Sequence, residues 1–180
     1  MSETLWKFEA VGLSQRLRDI TLPIESGVTA ILGHSGAGKT SLLNLLVAFE
    51  QPDAGNLNAA FDRGAHRVPI FWVPSDGGLW PHLTVAEHIA AVVDTSTNAA
   101  ETNQWLEEFD LTNRRNSRPD TLSAGEQARL AVARALAADA AVLVMDEPLV
   151  HVDPSRVGKY WQVIRRHLKA KGTSLVFATH

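Results

Sequence analysis

The chain has 180 residues, with 17 basic and 20 acidic side chains, a formal net charge of -3 and no cysteine. A composition of 45% hydrophobic and 21% charged residues fits one globular domain with a core of its own. The missing cysteines exclude a disulfide framework or thiolate metal site, and the balanced charge excludes an extended basic footprint for nucleic acid.

Met1 to Leu5 lacks the basic start and apolar run of a leader, and no stretch approaches the roughly 18 apolar residues of a membrane span. The expectation is a soluble, cytoplasmic chain with no nucleic acid partner. In chain order, Leu5 to Val11 alternates as a strand, and Ile20 to Ile24 is its candidate partner. Val28 to Leu32 is a short apolar run stopped by Gly33 and reads as a buried strand. Leu42, Leu43, Leu45, Leu46 and Phe49 then recur at helical spacing, with Pro52 just beyond. Val68 to Val73 is a second buried-strand candidate, ended by Pro74.

Residues 84–93 and 99–109 read as helices, the first opened by a Thr84–Glu87 capping box. The polar, basic stretch Asn113 to Asp120 reads as a loop. Leu122 to Ala138 reads as an alanine-rich helix and Ala141 to Met145 as a strand. Asp153 and Pro154 supply an N-cap and first helical position for a helix to about Lys171, and Ser174 to Ala178 is a last strand. The alternation predicts an α/β fold: a mostly parallel sheet flanked by helices, N-terminal antiparallel strands and a compact helical subdomain. One domain over 1–180 is expected, with a core from 1–74 and 139–180 and a helical lobe over 75–138.

Gly33-His34-Ser35-Gly36-Ala37-Gly38-Lys39-Thr40 fits the spacing G-x-x-x-x-G-K-[ST], with Ser41 next to it. Glycines let consecutive backbone N–H groups curl around phosphate oxygens, and the following helix aims its positive end at the same anion. Lys39 suits the β- and γ-phosphates of ATP, and the Thr40 hydroxyl suits Mg²⁺. Flanking strand and helix patterns make this a P-loop NTPase. Asp146 ends an apolar run, where open α/β sheets bind ligands, and suits the Mg²⁺ shell. Glu147 beside it suits the orientation or deprotonation of an attacking water.

Leu122-Ser123-Ala124-Gly125-Glu126-Gln127 and the run Ala128 to Leu136 resemble the signature segment of ATP-binding cassette (ABC) ATPases, the nucleotide-binding subunits of ABC transporters. Leu79 to Val85 resembles the family's membrane-subunit-facing segment, Asp153 its D-loop aspartate and His180 its switch histidine. The resemblance spans nearly the whole chain in the family's order. It implies ATP hydrolysis with Mg²⁺, catalytic roles for Lys39, Glu147 and His180, and a transmembrane permease partner on whose cytoplasmic side the chain sits. It further implies a head-to-tail homodimer, or a heterodimer with another ATPase subunit, in which Ser123 and Gly125 of one chain close on ATP held by the other. Ser123 and Glu126 also spell a capping box, and the two readings are compatible. His66, His82, His88, His151 and His167 show no metal-ligand spacing and read as surface or lobe residues.

The sequence departs from the family in several places. Ser75, followed by Asp76, stands where glutamine normally reaches the metal. No aromatic residue for stacking on adenine occurs in Gly12 to Arg16, which predicts weaker nucleotide affinity and poorer discrimination between ATP and GTP. Ala124 replaces a commoner glycine and Glu126 a commoner glutamine. The family also continues beyond its switch histidine, so either the missing edge is dispensable or the sequence is truncated there, and truncation would leave an uncovered sheet edge and apolar patch. Two other classes remain in play. A nucleotide or small-molecule kinase would use Arg114, Arg115 and Arg118 as a phosphate-clamping lid. A non-hydrolysing ATP-binding regulatory module would fit Ser75 and the missing aromatic.

Overall fold

The computed structural model describes residues 3–60, 66–94 and 98–180. Two sheets form the scaffold. The first is antiparallel, in the order β2 (Leu17–Glu25), β1 (Thr4–Leu13), β4 (Ala54–Ala59). The second is parallel, in the order β3 (Val28–Leu32), β7 (Ser174–Thr179), β6 (Ala140–Asp146), β5 (Val68–Val73).

Strand β6 shows how one strand builds two cores. Side chains alternate across a strand, and β6 has neighbours on both sides. Leu143 and Met145 enter one hydrophobic cluster, while Val142 and Val144 enter the other. The first cluster joins the sheet to α2 (Val85–Ala90), α3 (Asn98–Glu108), α4 (Ala124–Ala137) and α5 (Pro154–Lys171). The second joins the opposite face to α1 (Lys39–Leu46) and to Trp6 and Phe8 of the antiparallel sheet. Ile89 of α2, Leu106 of α3 and Leu130 of α4 share a continuous core with Leu143 of the sheet.

The helix ends follow local chemistry. The Thr84–Glu87 and Ser123–Glu126 pairs form reciprocal capping boxes at α2 and α4. Asp153 caps α5 through the Ser155 N–H, and Gly172 ends it at φ 71°. Residues Tyr160, Val163, Ile164 and Leu168 form the buried stripe of α5, at the spacing an amphipathic helix requires. The segment 113–120 is largely irregular, with short 3-10 turns at Thr112–Arg114 and Pro119–Thr121. Among the described residues, no helix is long and apolar enough to cross a membrane.

Three expectations change. Strand β3 is not buried: it is an edge strand, and Val28 and Leu32 are 62% and 72% exposed. Strand β5 forms the other edge and is only half-buried. Helix α1 stops at Leu46, which leaves Phe49 outside it and 78% exposed. One element had no expectation at all. Strand β4 reads Ala-Gly-Asn-Leu-Asn-Ala and is defined by backbone pairing with β1, as in Phe8 opposite Leu57.

Candidate nucleotide site

Parallel register brings the C-terminal ends of four strands to one rim, the place where open sheets bind ligands. Leu32 pairs with Thr179, Asp146 with Ala178 and Val73 with Met145. Across that rim lie the glycine-rich loop after β3, His180 after β7, Asp146 and Glu147 at β6, and Ser75 just past β5.

The loop is shaped by what packs beneath it. Gly38, the N-cap of α1, sits at φ 89°. A Cβ there would lie 3.0 Å from the Arg16 carbonyl oxygen and 2.9 Å from Leu17. Only glycine suits both the left-handed backbone and the close approach. The turn at Arg16 is itself anchored. Its guanidinium pairs with Glu50 and donates to Ser41 Oγ at 3.1 Å, while Ser14 Oγ donates to Asp53 at 2.7 Å.

Lys39 is buried, and its Nζ donates to the carbonyl oxygens of Gly33 at 2.8 Å and His34 at 3.2 Å. It also lies 3.9 Å from Glu147 Oε1. Thr40 Oγ1 donates to Asp146 Oδ2 at 2.6 Å, joining the start of α1 to the end of β6. Glu147 has φ 49° and donates its N–H to Ala178 O at 3.1 Å. Its Oε1 is 3.2 Å from His180 Nδ1. The five expected site residues Lys39, Thr40, Asp146, Glu147 and His180 therefore meet. They line or adjoin a cleft of about 590 Å³ whose far wall is Gln15 and Arg16.

The donor set fits Mg²⁺. A hydroxyl and a carboxylate are hard oxygen donors, and Mg²⁺ is held by one or two such groups together with water and substrate phosphates. Among the described residues, no cluster of three or more His, Cys, Asp or Glu could hold a metal alone.

Ser75 lines the same cleft, but Asp76 is turned to local work, accepting the Gly78 N–H at 2.9 Å. A second cavity of about 190 Å³ connects Ser75, Asp146 and Glu147 with Ala124, Gln127 and His151. The start of α4 thus adjoins the site within its own chain. Ser123 donates both N–H and Oγ to the Glu126 carboxylate, and Arg114 pairs with that carboxylate at 2.8 Å. Those bonds, Arg114 foremost, lower the Glu126 pKa to about 2. Ala124 stands at an ordinary helical position and needs no positive φ. A Cβ on Gly125, by contrast, would meet the His151 carbonyl oxygen at 2.8 Å.

Two of the three arginines considered as a lid are held by other partners. Arg114 is taken by Glu126, and Arg115 donates to Asn103 of α3. Two functional neighbours escaped the sequence. His88, expected as a surface or lobe residue, is fully buried in the lobe; it stacks on Trp80 and accepts the Trp80 N–H at 2.9 Å. Arg134 is buried in the last turn of the alanine-rich helix. A lone cation in the run Ala131 to Ala138 was the available signal.

The family profile described as "ABC transporter" matches residues 17–150. The chain is 37% identical over 164 residues to the Fe(3+) ions import ATP-binding protein FbpC of Pseudomonas fluorescens (strain Pf0-1), covering 84% of this chain and 47% of that protein. It is 35% identical over 175 residues to the spermidine/putrescine import ATP-binding protein PotA of Chromobacterium violaceum, covering 91% and 48%. The chain therefore spans about half the length of the curated relatives it matches. Its fold is that of a solved dimeric ATP-binding cassette, MJ0796, in a post-hydrolysis state bound to ADP and Pi, with TM-score 0.81 and 23% identity, covering 98% of this chain and 88% of that one. By sequence and by fold, the chain belongs to the ABC transporter family.

Proposed function

We propose that the chain is the ATP-binding and ATP-hydrolysing part of an ABC transporter, converting ATP and water to ADP and phosphate to drive solute movement through a separate membrane permease. The observation that carries this reading is the convergence on Glu147: its carboxylate lies between Lys39 at 3.9 Å and His180 at 3.2 Å, one residue after the Asp146–Thr40 pair.

Each group has a task. Lys39 neutralises phosphate charge, and the loop N–H groups hold the phosphates in place. Thr40 and Asp146 would hold Mg²⁺, which when bound neutralises charge building on the phosphate oxygens. Glu147 orients the attacking water and accepts its proton. His180, donating or accepting through either ring nitrogen, holds the γ-phosphate side of that water. Positioning and charge stabilisation supply the rate.

The remaining assignments belong to the same proposal. Residues 1–74 and 139–180 act as the nucleotide core, and 75–138 as the lobe. Two such cassettes, identical or different, pair head to tail so that the Ser123–Gly125 segment of each faces the phosphate loop of the other. The segment near 75–83 meets the permease on the cytoplasmic side. The import proteins among the relatives support an importer. The test is Mg²⁺-dependent phosphate release from the wild type beside Lys39→Ala. Release that is equal in the two, or independent of Mg²⁺, overturns the reading.

A further inference from the structure

A buried cation needs a partner, and Arg134 has no carboxylate. Among the described residues its only polar partners are two carbonyl oxygens: Nη2 donates to Gly77 O and Nη1 to Gly78 O, both at 2.9 Å. Among the described residues its Nε has no acceptor. The guanidinium lies 4.5 Å from the Trp80 ring centroid and 5.6 Å from that of Phe71. Burial lowers its pKa only to about 10, so it stays charged at neutral pH. An uncompensated buried charge is a costly way to hold a turn, and an apolar residue of similar volume often serves stability as well or better.

The turn it holds is unusual in position. Gly77 and Gly78 both have positive φ, and a Cβ on Gly77 would press on Ala131, one turn earlier in α4. Two residues upstream, Ser75 faces the nucleotide cleft beside Asp146 and Glu147. Two residues downstream, Trp80 reaches the surface with 37% of its area exposed, its N–H fixed by His88. Helix α4 begins at Ser123 and carries Arg134 near its other end. One rigid helix therefore connects the Ser123 segment to the turn between the cleft and the exposed Trp80.

We propose that Arg134 is a positioning residue that clamps the Gly77–Gly78 turn to α4, so that Ser75 at the nucleotide and Trp80 at the surface move as one body with the Ser123 segment. The proposal rests on the ATPase reading for its kinetic consequence. Its mechanical content, a turn pinned by two charge-assisted bonds, stands apart from that reading.

The test uses the full chain with Arg134→Met, which removes the bonds without leaving a buried charge, and Arg134→Lys, which keeps the charge and one bond. Arg129→Met is the control: Arg129 is also buried in α4 but donates to the carbonyl oxygens of Phe109, Asp110 and Gly125 rather than to the 77–78 turn. In Arg134→Met, amide exchange at residues 77–80 is expected to rise about tenfold while the core strand β6 keeps its protection. The kcat for ATP is expected to fall about tenfold with the Kd for ATP within about twofold of wild type. Arg134→Lys should fall between, and Arg129→Met should leave exchange at 77–80 unchanged. Unchanged exchange at 77–80 in Arg134→Met overturns the clamp. A parallel loss of ATP binding and protein-wide protection also overturns it, since that marks a fold-wide role. If the wild type releases no phosphate, the ATPase reading fails by itself and the exchange comparison decides the clamp.

Discussion

His180 Nδ1 lies 3.2 Å from Glu147 Oε1. The two residues come from neighbouring strands, and the N–H of Glu147 donates to Ala178 O, two residues before the histidine. The acid and the imidazole are therefore set by sheet register rather than by a flexible loop. That relationship gives the first prediction. Glu147→Gln keeps the shape and hydrogen bonding of the side chain but cannot take a proton. ATP binding should be retained and steady-state phosphate release should fall by about 10²- to 10⁴-fold, the usual weight of a general base. Hydrolysis at the wild-type rate would remove Glu147 from that role.

The capping carboxylate of α4 gives a pH-dependent prediction. Arg114 and Ser123 hold the Glu126 pKa at about 2 in the folded chain, against 4.5 for the free side chain. A depressed carboxylate stabilises the fold fully above the higher value and loses that contribution as pH falls towards the lower. The melting temperature of the wild type should exceed that of Glu126→Gln by a constant margin above about pH 5, and the margin should shrink between pH 4.5 and pH 2. A margin that is independent of pH across this window would show that the charge on Glu126 contributes nothing.

Gly125 has two reasons to be glycine, and only one concerns phosphate. A methyl group there would lie 2.8 Å from His151 O, so Gly125→Ala must push back the segment between Glu147 and Asp153. We expect a stability loss of about 1–3 kcal/mol in chemical denaturation, as for overpacking of a tight contact. Hydrolysis should fall further than the Kd for ATP rises. A variant as stable and active as the wild type would show that the segment yields freely.

The far wall of the cleft gives a specificity prediction. Gln15 and Arg16 line the cleft within a stretch, Gly12 to Arg16, that carries no aromatic residue for the base. Arg16 is committed to Glu50 and Ser41, so it offers a polar, fixed surface. ATP and GTP should compete with inhibition constants within about threefold of each other, since a base–aromatic stacking contribution of about 1–3 kcal/mol is missing. A strong preference for ATP would point to another adenine contact.

The phosphate loop, the Asp146–Glu147 pair and both capping boxes were legible because each is written in consecutive residues. Their backbone geometry is local, and glycine, proline and capping side chains announce it. Burial in a sheet is different. Val28 to Leu32 and Ala141 to Met145 look alike as apolar runs, yet one is an edge and the other has two partners. Hydrophobicity reports what a strand tolerates, while its neighbours are chosen by distant segments. Strand β4 was illegible for the converse reason, since its pairing is made by backbone groups that every residue carries. Arg134 could be flagged as out of place among alanines, but its partners are carbonyl oxygens of glycines, which no side-chain pattern encodes.

The order of the parallel sheet has a consequence for how the site comes into being. Strand β3, which leads into the phosphate loop, pairs in the sheet with β7 alone among the described residues, and 147 residues separate Gly27 from the Ser174 hydroxyl it donates to. Pairing at such separation is slow and comes late, because the intervening loop must be closed before it is rewarded. On a ribosome, α1 and the Gly33–Thr40 segment emerge early and can meet Trp6, Phe8 and the Arg16–Leu17 turn, but β3 gains its sheet partner only once β7 has been made. The seat of the Gly33–Thr40 segment is thus completed by a closure that spans most of the chain.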